Sequence, residues 1–92
     1  MPDTVAPIFI DGPTSEAIRG LVGRHAPIDT RGLGDADDLY DAGLSSLASV
    51  NLMLALEDAY DVEFPERMLR RTTFASIAAI RAALAELLGK AR

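Results

Sequence analysis

A chain of 92 residues with 49 % hydrophobic side chains has room for one small domain around one core. Fourteen acids against nine Lys and Arg give a net charge of −5 and a pI near 4.6, which argues against nucleic acid as the main partner, because affinity there comes largely from cations at phosphates. The absence of Cys excludes disulfides and any protein thiolate, and no run approaches the ~18 apolar residues of a membrane span.

Residues 1–13 carry Pro2, Pro7 and the turn signal Asp11-Gly12-Pro13, and read as an irregular lead-in to a domain over 14–89. Val5 to Ile10 is too short and Pro-broken for a signal peptide and has no basic region before it, so a cytoplasmic protein is expected. Ile8, Phe9 and Ile10 are candidates to pack back onto the domain. Thr14 or Ser15 caps a first helix, with Glu16 early in it where a negative charge complements the dipole. Ala17, Ile18, Leu21 and Val22 give its apolar stripe. The pattern fades from Gly23 to Ala26, and Pro27 marks the stop.

Residues 27–45 form a long loop with Gly32, Gly34, Gly43 and five Asp. Structureless loops of that length are uncommon in compact domains and are often functional. The second helix then opens at a pair of serines. Ser45 and Ser46 are both good N-cap types, and Leu47 to Tyr60 contains no Pro or Gly and is rich in Leu, Met, Ala and Glu. A helix of about fourteen or fifteen residues, roughly 22 Å long, is expected. Leu52, Met53, Leu56 and Tyr60 share one face, the core stripe. Leu47, Val50 and Leu54 form a second line centred well away from the first, with Asn51, Glu57 and Asp58 on the outward side. That second line is either covered by a neighbouring loop or left exposed for a partner.

Phe64-Pro65 ends any extension and starts a short third helix, Glu66 to Arg70, with Pro at a tolerated first-turn position. Thr72 or Thr73 caps a last helix from Phe74 to about Leu88. Its stripe is Phe74, Ile77, Ile80, Leu84, Leu87 and Leu88, and Gly89 is the expected C′ residue. The element order describes an all-α fold: a small four-helix bundle with a long loop between helices 1 and 2 and a short third helix.

Nine acids lie between Asp35 and Glu66 with no Lys or Arg among them. Singly each reads as solvated surface; as a block they make a negative field that steers basic partners toward the serines. Arg67, Arg70 and Arg71 read most simply as surface charge, with contact to a phosphate or to acids as the alternative. His25 stands alone as a solvent-facing helix-end residue. Asp35-x-Asp37-Asp38 resembles the start of a calcium loop, but an EF-hand would need Gly and Glu where Tyr40 and Ser46 stand. Gly32-Leu33-Gly34 is too short for a dinucleotide loop.

Gly43-Leu44-Ser45-Ser46-Leu47, followed by a helix ending Ala55-Leu56-Glu57-Asp58-Ala59-Tyr60, resembles the modification site and second helix of acyl carrier proteins. The resemblance runs from about Thr14 to Leu88. It implies that Ser46, which precedes Leu47 and follows Gly43 by three, is esterified by 4′-phosphopantetheine from coenzyme A. It leaves Ser45 as the N-cap, and it anchors Leu33, Leu39, Tyr40 and Leu44 of the loop to the core. The thiol that the chain lacks is then imported with the prosthetic group.

The same resemblance implies a stand-alone, monomeric carrier without catalytic activity, shuttling a thioester-bound acyl or aminoacyl group. The implied partners are a phosphopantetheinyl transferase, a loading ligase or transferase and a consuming enzyme, with no membrane. Leu47, Val50 and Leu54 become a docking strip with Glu57 and Asp58 on its rim. Fatty-acid carriers usually have Asp where this chain has Ser45, and acids soon after the serine where it has Ala48 and Asn51. Those departures favour a specialised pathway (polyketide, modified-lipid or aminoacyl/peptidyl transfer) over bulk fatty-acid synthesis. The rival reading from another class is an unmodified acidic helical module that binds a basic partner.

Overall fold

A computed structural model of the protein describes residues 13–90, the side chain of Lys90 excepted; the lead-in residues Ile8, Phe9 and Ile10 lie outside that range. The described residues form four α-helices and no strand: α1 Ser15–His25, α2 Leu39–Ala42, α3 Ser46–Tyr60 and α4 Ile77–Lys90. Two 3₁₀ turns, Glu66–Met68 and Arg71–Phe74, connect α3 to α4.

Each end has a local cause. Thr14 caps α1, its hydroxyl accepting the Ala17 N–H at 3.1 Å. The helix stops where the Ala26 N–H returns to the Val22 carbonyl, because Pro27 has no N–H with which to continue. At the far end of α3, Asp61 takes the left-handed conformation at φ 53°, and the Val62 N–H closes onto the Glu57 carbonyl at 3.1 Å. Gly43 ends α2 at φ 124°, a backbone that side chains other than glycine's resist.

The core is aliphatic. Ile18 and Val22 of α1, Leu52 and Leu56 of α3, and Ile77, Ile80 and Leu84 of α4 are fully shielded, with Leu39 of α2 joining them. Phe64 and Phe74 close one end edge to face, ring centroids 5.3 Å apart. Ala48 belongs to the buried face of α3, while Met53 sits only half-buried at its edge. The apolar stripe therefore starts one turn earlier than the bulky residues suggest.

The long loop is ordered by what it ties together. Asp35 accepts the Ser15 hydroxyl at 2.5 Å and the Arg19 guanidinium at 2.7 Å, and its carbonyl receives the Ala78 N–H of α4 at 2.9 Å. Asp37 accepts the Gly34 N–H. Asp38 caps the added one-turn helix α2 through the Tyr40 N–H. Leu39 and Leu44 are buried, with Leu33 and Tyr40 packed against the core.

Three expectations change beyond the loop. The third helix, expected over Glu66 to Arg70, is a single 3₁₀ turn. Leu69 and Arg70 leave helical geometry, and a segment this short cannot offset helix nucleation while both Met68 and Phe74 reach the core. The last helix begins at Ile77, not Phe74: Ser76, rather than Thr72 or Thr73, presents its hydroxyl to the Ala79 N–H at 3.0 Å, and Phe74 lies in the preceding turn. Gly89 is not a C′ residue, since α4 runs through it to Lys90.

Candidate functional site

The two serines have different jobs because they sit on opposite sides of the α3 boundary. Ser45 is extended (φ −85°, ψ 169°) and is the N-cap, its hydroxyl accepting the Ala48 N–H at 3.1 Å. Ser46 is the first residue inside the helix and is exposed. Its hydroxyl makes no hydrogen bond among the described residues, although its carbonyl accepts the Ser49 hydroxyl at 2.7 Å. The Ser49 N–H goes to the Ser45 carbonyl and the Ala48 N–H to the Ser45 hydroxyl, so the Ser45, Ser46 and Leu47 N–H groups remain as orphan donors of the first turn. With a fifteen-residue dipole behind them, they favour an anion at this end.

A shallow open groove of about 360 Å³ runs past Ser46, between α3 and the 3₁₀ turns. Ser49, Val50 and Met53 line one side, with Tyr40, Leu69, Arg70, Arg71 and Phe74 across from them. Nothing about it encloses a ligand. The site is a platform with a free hydroxyl, two cations and an apolar border.

That border is broader than the sequence suggested. Leu47 is 72 % exposed, Val50 48 % and Leu54 52 %, and Leu69 joins them at 51 %. Leu54 and Asp58 also line a second shallow groove with Leu21, Arg24 and His25 of α1; His25 is half-buried there instead of solvent-facing. Asp58 is exposed, but the Glu57 carboxylate accepts the Phe64 N–H at 2.9 Å and is partly committed to holding the chain after α3. From sequence Leu69 reads as one residue of a short helix and shows no exposed role. The signal was Met68-Leu69, two large apolar neighbours in a turn that can bury only one.

The acidic block divides in two. Asp35, Asp37, Asp38 and Glu57 serve as staples and caps, whereas Asp41, Asp58, Asp61, Glu63 and Glu66 face solvent. The Ser15 hydroxyl, with Arg19 behind it, holds the Asp35 carboxyl below its ordinary value. Among the cations, Arg67 pairs with Glu86 at 2.7 Å, while Arg71 lies over the Tyr40 ring at 3.8 Å. No three His, Cys, Asp or Glu side chains among the described residues are grouped to hold a metal, and no described helix is long and apolar enough to cross a membrane.

A family model described as the phosphopantetheine attachment site matches residues 16–83, a span that includes both serines and the groove. An aminoacyl carrier protein of Agrobacterium fabrum is 59 % identical over 54 residues, 59 % of this chain and 63 % of that protein. The aligned segment thus spans less than two thirds of that relative's length. Among solved structures, this fold is similar to a chain in the crystal structure of an engineered Bradyrhizobium japonicum glycine:[carrier protein] ligase complexed with carrier protein from Agrobacterium tumefaciens and ATP. The TM-score is 0.74 at 43 % identity, over 79 % of this chain and 97 % of that one. A second likeness is to a chain in the complex of the Bradyrhizobium japonicum ligase with its cognate carrier protein and an analogue of glycyl adenylate. There the TM-score is 0.62 at 25 % identity, over 78 % of this chain and 91 % of that one.

Proposed function

This chain belongs to the phosphopantetheine-attachment family of carrier proteins, and from that premise we propose that Ser46 bears the 4′-phosphopantetheine and that the cargo is an aminoacyl group. The protein is a carrier and not an enzyme, and its prosthetic group is phosphopantetheine. When attached, that group supplies a thiol on a flexible arm, where the cargo is held as a thioester.

The observation that supports Ser46 most directly is its free, exposed hydroxyl at the first position of α3, beside a neighbour that has taken over capping. The residues around it suit the group: orphan N–H donors and two arginines for a phosphodiester, and an open groove for the first part of an arm. Ser46 has no general base beside it, so activation of its hydroxyl falls to the transferase. The aminoacyl cargo is supported by the relatives, one of them an aminoacyl carrier protein and others found with glycine-activating ligases.

The partners proposed are a phosphopantetheinyl transferase, an aminoacyl:carrier ligase and an enzyme that consumes the loaded group. Leu47, Val50, Leu54 and Asp58 make the surface offered to them, with Leu69 extending it and Glu57 at its end. The test is an intact mass after incubation with coenzyme A and a permissive transferase. Wild type and Ser45→Ala gain one phosphopantetheine and Ser46→Ala gains none. Failure to gain it where a control carrier does would overturn the reading and favour an unmodified interaction module.

A further inference from the structure

We infer that Arg70 and Arg71 form a binding site for the phosphodiester of the prosthetic arm, anchoring its first bonds in the groove beside Ser46. The inference rests on Ser46 being the attachment residue.

In a chain with fourteen acids, these two adjacent cations meet none of the described ones. Arg19, Arg31 and Arg67 each pair with a carboxylate; among the described residues Arg24, Arg70, Arg71 and Arg81 make no ion pair, and of these Arg70 and Arg71 line the groove with Ser46. Two neighbouring positive charges repel, and the fold still places both on the wall of the groove that holds the Ser46 hydroxyl. The missing complement is an anion, and a phosphodiester built on that hydroxyl would put one on the same groove.

The arginines are also positioned. Arg70 is extended at φ −132° just before the second 3₁₀ turn, and its carbonyl accepts the Thr73 N–H at 3.1 Å. Arg71 opens that turn with its guanidinium 3.8 Å from the centre of the Tyr40 ring, a contact that consumes no N–H donor. Tyr40 is itself packed against the core from α2, so the long loop fixes a cation on the wall of the groove that Ser46 also lines. A guanidinium suits this role because its planar fork matches two phosphate oxygens, which an ammonium cannot do. The orphan N–H groups at the start of α3 add to the same field.

Phosphorus NMR of the holo protein tests this, after intact mass has established one phosphopantetheine on each sample. Both arginines are exposed, so substituting them leaves the core intact. In Arg71→Gln and Arg70→Gln the phosphodiester line is expected to sharpen and move toward that of the same diester in the urea-unfolded holo protein. Arg71→Lys falls between, and raising the salt moves wild type the same way. Arg31→Gln, which removes a cation paired with Asp29 away from the groove, leaves the line unchanged. The same shift and width in wild type and both Gln variants, each fully modified, would overturn the arginine site while leaving Ser46 as the attachment residue. No mass gain in wild type would overturn both.

Discussion

The Ser45 hydroxyl accepts the Ala48 N–H at 3.1 Å, and that one bond separates the two serines chemically. Both serines are exposed, but a cap hydroxyl that is already committed is a poor acceptor for a bulky group, while the hydroxyl after it is uncommitted. Removal of the cap in Ser45→Ala is expected to cost about 1 kcal/mol of stability, read by urea unfolding, with phosphopantetheinylation retained. Ser46→Ala shows the reverse, a stability change within about 0.5 kcal/mol and no modification. A modified Ser46→Ala would reassign the site to Ser45.

The parts of this fold that were legible in the sequence are those fixed by local chemistry. Thr14, Pro27 and the serine pair mark helix ends through groups within four residues of themselves, and the α3 stripe follows from its period. The parts that were not legible depend on distant partners. Leu39–Ala42, capped by Asp38, forms a turn of helix because the Leu39 N–H finds the Ala75 carbonyl at 2.7 Å and the Leu39 side chain enters the core. Thr72 and Thr73 look like caps as well as Ser76 does, and only the burial of Met68 and Phe74 decides that the helix waits until Ile77. The division of the serine pair into a cap and a first helical residue was readable, whereas the Tyr40–Arg71 contact joins residues far apart in the chain and had no local signal.

Asp35 is the residue on which the loop depends. Its carboxylate joins Ser15 and Arg19 of α1 while its carbonyl holds α4. The folded-state value lies below the unfolded one, chiefly through the Ser15 hydrogen bond and then Arg19. Its stabilisation is therefore complete above the ordinary carboxylate value of about 3.9 and is lost as pH falls through the depressed folded value. Urea unfolding across pH should show wild type more stable than Asp35→Asn near neutrality, with the gap closing only under strong acid. A gap independent of pH would mean that the carboxylate charge contributes nothing.

Tyr60 carries the opposite kind of penalty. Its ring fills the core at 4 % exposure, but its hydroxyl is shielded without a hydrogen-bond partner. A buried hydroxyl left unpaired is unfavourable, and Tyr60→Phe keeps the ring while removing it. The variant is expected to be more stable by about 1 kcal/mol, seen as a raised urea midpoint with an unchanged slope. Burial also pushes the Tyr60 phenol up from its ordinary value. Folding thus favours the protonated form, and wild type should lose further ground to Tyr60→Phe as pH rises beyond about 10. Equal stability throughout would mean that the hydroxyl finds a partner in solution.

Leu47, Val50, Leu54 and Leu69 remain at least 48 % exposed, so truncating them removes almost nothing from the fold. Single Ala variants are expected to unfold within about 0.5 kcal/mol of wild type. Against an aminoacyl:carrier ligase the same variants should separate. Those seated at the centre of the interface are expected to weaken binding by more than about 1 kcal/mol, roughly fivefold or greater. Because the face is apolar with free acids only at its border, raising salt should slow association through Asp58 and its neighbours more than it speeds dissociation. Surface plasmon resonance on the holo protein separates the two rates. Unchanged dissociation in all four Ala variants would move the docking surface elsewhere, and the second groove along α1, with Arg24 and His25, would be the next face to mutate.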